Sequence, residues 1–118
     1  MNLSMSTISN VILTTAIYDG AWSQSDYGSV DILNDYLRKH YQGTCFNIVH
    51  DKAGGHQQMT CDIFIAAVDY LDVDALVNHF LTIEWQKPEQ AQLMIRTHEN
   101  ENFQLYSPAN QANNETNI

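Results

Sequence analysis

The chain reads as an α+β domain of ferredoxin-like type: a β-α-β-β-α-β sandwich with an additional C-terminal strand and two helices on one face of an antiparallel sheet. Three observations predict it. Two segments, 11–18 and 63–68, carry apolar residues at both odd and even positions, so each has two apolar faces, as strands inside a sheet do. Two others, 29–41 and 72–83, repeat apolar residues at three- and four-residue steps and so carry one apolar stripe each, as helices do. Turn residues divide these and three shorter alternating runs into the order β-α-β-β-α-β-β. Right-handed crossovers in that order place the first and third strands at the centre, and those are the two with apolar residues on both faces.

Taken in order, residues 1–9 are polar and expected to fray. The run VILTTAIY (11–18) is rich in β-branched residues and is the first strand. Residues 19–28, DGAWSQSDYG, form a turn-rich loop that carries Trp22 and Tyr27. Ser29 is the expected cap of the first helix, with Asp31 in its first turn, Arg38, Lys39 and His40 in its last, and Gly43 beyond its end. Val30, Leu33, Leu37 and Tyr41 make its buried stripe, and Asp31, Asp35, Arg38 and Lys39 face water. CFNIVH (45–50) is a short strand, followed by a hairpin loop, DKAGGHQQ, in which Gly54 and Gly55 are expected to supply positive φ.

The segment 61–85, CDIFIAAVDYLDVDALVNHFLTIEW, is the expected centre of the core. Its strand gives way at Asp72, the expected cap of the second helix, whose stripe is Val73, Leu76, Val77, Phe80 and Ile83. Pro88 is expected to stop this helix. AQLMIRT (91–97) and FQLYS (103–107) form a terminal hairpin, and 108–118, dominated by Asn, Gln and Ala, is a flexible polar tail. The folded unit is therefore 10–107.

A chain of 118 residues suits one domain, long enough to bury roughly two-thirds of its unfolded surface. Its charge is lopsided: 14 acidic against 5 basic side chains, net -9. Such a field repels nucleic acid and anionic lipid and attracts basic partners, so neither direct nucleic-acid binding nor membrane attachment is expected. The N-terminal 20 residues lack the basic flank and long apolar run of a signal peptide, and Cys45 and Cys61 read as buried thiols in a reducing compartment, so a cytoplasmic location is expected.

The chain offers little to catalysis. His50, Asp51 and His56 could converge across the hairpin with Cys45 or Cys61, but HExxH, CxxC and His-triad patterns are missing. Asp69, Asp72 and Asp74 lack the glycine and closing glutamate of a calcium loop and are better explained at a helix N-terminus. AGGH lacks the GK[ST] end of a phosphate loop, and no nucleophile elbow is present. The expectation is a non-enzyme without cofactor or metal.

Function then falls to the surface. The topology gathers the loop after the first strand, the hairpin and the 85–88 connection at one end, with Asp19, Trp22, Asp26, Tyr27, Asp51, His56 and Trp85 as a partner-binding rim. In size, acidity and lack of catalytic motifs the chain is similar in kind to immunity proteins of bacterial toxin systems. The similarity implies a small inhibitor that occludes the active or nucleic-acid site of a basic toxin or nucleic-acid-binding protein. A phage-encoded inhibitor of a host defence complex, acting as a nucleic-acid mimic, is the alternative within that class. Because the helices cover one sheet face, Ile12, Ala16, Phe64 and Val68 are expected on the other, and a homodimer through it, closing a ligand-binding or enzymatic α/β barrel with Phe64 at its interface, is the alternative from another class.

Overall fold

In the computed structural model, which describes residues 7–17, 27–49 and 52–108, the two segments with apolar residues on both faces form β1 (Ile8–Ala16) and β3 (Cys61–Asp69). They pair antiparallel along their whole length, from Ile8 opposite Asp69 to Ala16 opposite Cys61. β4 (Gln92–Arg96) flanks β1 on its other side, β5 (Gln104–Tyr106) lies outside β4, and β2 (Asn47–Ile48) borders β3. The order β2-β3-β1-β4-β5 is antiparallel throughout. With α1 (Tyr27–His40) and α2 (Val73–Thr82), this is an α+β protein with a five-stranded antiparallel sheet and two helices, compatible with the ferredoxin-like expectation. β1 begins inside the segment expected to fray, because pairing with β3 reaches Ile8 and the Tyr70 amide donates to the Thr7 carbonyl at 3.2 Å.

The strand register decides which residues share a face. Leu13 sits opposite both Phe64 and Leu93, and Val11 opposite both Ala66 and Ile95. Val11, Leu13, Phe64, Val68, Leu93 and Ile95 are buried in one cluster with the helix stripes Val30, Leu33, Leu37, Leu76, Val77 and Phe80. Fully burying each such side chain contributes about 1.5–3 kcal/mol, so this layer dominates the stability. The expectation that Phe64 and Val68 lie on the uncovered face is therefore corrected: their even-numbered positions pair with the odd-numbered, helix-facing positions of β1. The uncovered face carries Ile12 and Ala16, as expected, together with Ile63, Ile65 and Ala67.

Local expectations also shift. α1 begins at Tyr27, ahead of Ser29, so Asp31 falls beyond its first turn. The Tyr27 ring packs edge-on against Phe64, with centroids 6.1 Å apart, which draws the first turn onto the sheet. Asp72 caps α2 as expected, its carboxylate accepting the Ala75 amide at 3.1 Å. Pro88 does not end that helix; it opens a short 3-10 turn, Pro88–Gln90, six residues further on. The helix stops at Thr82 because the Phe80 carbonyl takes the Ile83 amide at 3.4 Å and the Trp85 indole Nε1–H at 3.0 Å. β2 is shorter than the expected 45–50, since the Phe46 amide leaves the ladder for Asn34 Oδ1, buried at 2.7 Å. Gly43 and Gly55 take positive φ, whereas Gly54 does not.

Both thiols are free. Asn47 faces Ile65, so Cys45 lies beside the Ala67 end of β3, about six residues or roughly 20 Å from Cys61. That separation excludes a bond between them within one chain.

Candidate functional site

The register sets two poles. β1 ends at Ala16 beside Cys61, where β3 begins, and Gln92 at the start of β4 faces Thr14. The connections after β1, before β3 and before β4 therefore open at one pole, as the topology requires. Of the rim residues expected there, Asp19, Trp22, Asp26 and Asp51 lie outside the described residues, as does His50. His56 is exposed. Tyr27 is half-buried against Phe64. Trp85 is 6% exposed, tilted against Phe80 with ring centroids 5.3 Å apart and hydrogen-bonded to the end of α2, so its ring belongs to the core and is not an exposed anchor. The Trp85 side chain could have been read as a helix-capping group from its position three residues past the last helical turn.

The opposite pole carries a feature that sequence reasoning passed over. Tyr70, at the turn between β3 and α2, is 65% exposed and takes φ 57, a left-handed conformation uncommon outside glycine and asparagine. The turn around it is tied down on both sides. The Tyr70 amide donates to Thr7 O, the Asp69 carboxylate accepts from the Thr7 hydroxyl, and the Asp72 amide donates to the Tyr41 hydroxyl at 2.9 Å. Asp72 also anchors the start of α2 through Ala75. A large ring is thus held out from the surface on a rigid, strained turn, which is how an anchor residue avoids losing entropy on binding.

Carboxylates neighbour Tyr70 along the chain. Asp69, Asp72 and Asp74 are exposed on the turn and the first turn of α2, and Glu99 shares with Tyr70 a cavity of about 380 Å3 that Thr97, His98 and Leu71 also line. Behind the pole, the Tyr36 ring stacks on His79 at 4.5 Å and leans on His40 at 4.7 Å. Burial, then the neighbouring Tyr41 and Asp72, push the Tyr36 phenol above its ordinary value. This packing ties α1 to α2 beneath the acidic turn. Among the described residues there is no group of three or more His, Cys, Asp or Glu side chains placed to hold a metal ion, and no described helix is long and apolar enough to cross a membrane.

No family model matches this chain, and neither the curated proteins nor the solved structures contain a match to it.

Proposed function

We propose that this protein is a small acidic binding protein that inhibits a basic protein target by occluding its active or nucleic-acid site, the manner of action of toxin-immunity proteins. The observation that carries the reading is Tyr70, projecting 65% exposed from a braced turn among Asp69, Asp72, Asp74 and Glu99. An exposed aromatic ring on a turn that carries exposed carboxylates is the complement of a basic cleft with an apolar floor: the ring fills the cleft and the carboxylates stand where substrate phosphates would lie. The net charge of -9 adds long-range attraction that speeds encounter and weakens with salt beyond a Debye length of about 8 Å. The expected rim residues Asp19, Trp22, Asp26 and Asp51 remain part of the proposed contact surface, and His56 is exposed.

The finer architecture belongs to the same reading. The strand order and the single core shared by both helices support a ferredoxin-like β-α-β-β-α-β sandwich whose additional C-terminal strand lies outside β4.

The test is retention on the immobilised protein from a cell extract, with each retained protein identified. The reading expects a basic protein whose retention falls at least tenfold with Tyr70→Gly or with Asp74→Asn plus Glu99→Gln, and falls again as salt rises. It also expects that protein's own activity to be blocked by wild type and spared by those variants. Retention indifferent to salt and to all three substitutions would overturn it.

A further inference from the structure

The uncovered face of the sheet is nearly uncharged on a protein that is strongly acidic elsewhere. Across the five strands one register row reads Asn47, Ile65, Ile12, Met94 and Leu105, from β2 to β5. Ile65 is 44% and Leu105 49% exposed, and Phe103 is exposed next to them. Among the strand residues of this face the charged ones are Arg96 and Asp69, one of each sign. A basic partner finds no excess of carboxylates here, and an acidic partner no excess of cations.

We infer that this face is the interface of a homodimer whose twofold axis runs along β1, a surface that shares Asp69 with the acidic pole and is otherwise distinct from it. The geometry points to that axis because β1 is the middle strand. Rotation about it lays β4 on the partner's β3 and β5 on the partner's β2, so the face is complementary to itself. Ile12 then meets the partner's Ile12, and Met94 meets the partner's Ile65. Leu105 enters a trough of about 520 Å3 whose walls and floor in each copy include Ile12, Cys45, Asn47, Ile65 and Ala67.

Charge picks out the same arrangement. Arg96 pairs in register with Asn10, which faces Ala67, and Asp69 stands two residues further along β3. The axis brings Arg96 over the partner's Ala67, one pleat repeat of about 7 Å from the partner's Asp69, within reach of an arginine side chain. The face's cation and anion thus pair twice across the axis, and the remaining contact is apolar. Strands about 4.8 Å apart and two to nine residues long give a face of roughly 450 Å2. Two such faces bury about 900 Å2, the range of weak, reversible association.

The test is sedimentation of the full chain over a range of concentrations, with circular dichroism showing that each variant is folded. Wild type should sediment as a dimer at micromolar concentration, and Ile65→Glu and Leu105→Glu should each raise the dissociation constant at least a hundredfold with the spectrum unchanged. Arg96→Asp and Asp69→Arg should each be monomeric alone, because each sets like charges against each other across the axis. Mixing those two variants should restore a dimer, since each then offers the charge the other lacks. A wild-type monomer at tens of micromolar, a dimer insensitive to Ile65→Glu and Leu105→Glu, or charge variants that stay monomeric when mixed would each overturn the proposal. Ile65, Leu105 and Arg96 lie outside the acidic pole, so the outcomes of their variants leave it untouched, and that pole is read by retention of a basic protein.

Discussion

The two faces of the sheet are made of similar residues and lead opposite lives. Val11, Leu13, Leu93 and Ile95 on one side are sealed beneath α1 and α2. Ile12, Ile65, Met94 and Leu105 on the other meet solvent in the single chain. The difference teaches that apolar composition alone does not place a residue in the core. The helices cover one face, and strand register decides which residues belong to it.

The largest contrast is between residues in adjacent register rows. Leu13→Ala should cost about 3–5 kcal/mol in urea unfolding, since it removes buried methyl groups and leaves a cavity under the helices. Ile65→Ala should cost less than about 1 kcal/mol at concentrations where the chain is monomeric, as its side chain is half in water there. Equal losses at the two positions would break the comparison.

Asn34, buried on α1 at 7% exposure, extends it to a polar group on the covered side. Asn34→Ala leaves the Phe46 amide without its acceptor and should destabilise by about 1–3 kcal/mol, measured by chemical unfolding. A smaller loss would mean that the Phe46 amide reaches water, and that the covered side is less dry than its packing indicates.

Tyr70 supplies a case with the opposite sign. Tyr70→Gly relieves the left-handed conformation with little loss of burial and should stabilise the fold by about 1 kcal/mol, seen as a higher melting temperature. A variant that is more stable yet no longer retains a basic protein would separate the ring's use in binding from its place in the fold. A fall in stability instead would assign Tyr70 a structural role.

The smallest effect concerns Tyr36 on the outer side of the helix layer. Its folded phenol holds its proton more tightly than the unfolded one, because burial, Tyr41 and Asp72 disfavour the phenolate. The resulting stabilisation is present below the ordinary tyrosine range near pH 10 and is lost as pH rises through the raised folded value. Tyr36→Phe should remove that alkaline component from the stability profile and leave the neutral region's slope unchanged. An identical alkaline profile in wild type and variant would show that Tyr36 does not contribute to it.

Much of the architecture was legible because periodicity reports on local geometry. The step change at Asp72 from alternating residues to a helical stripe located the cap of α2, with β3 ending three residues before it. The apolar residues at both parities in β1 and β3 placed those strands inside the sheet. Where the reading slipped, a long-range contact overrode a local signal. Asn34 pulled Phe46 out of β2, Tyr27 drew α1 ahead of Ser29, and Trp85 closed α2 before Pro88 could. The candidate site was less legible than the fold. Trp85 looked like an anchor by residue type alone, and Tyr70 carried no signal that set it apart.

From the amino-acid order alone come the element order, the central pair of strands, the cap at Asp72 and the acidic field, since each depends on spacing or summed charge within the chain. Tertiary structure alone decided that Phe64 and Val68 face the helices, that Trp85 is sealed in, and that Tyr70 stands out among carboxylates. Those outcomes depend on the register between β1 and β3, and a one-residue shift in pairing would exchange the two faces without altering any local pattern.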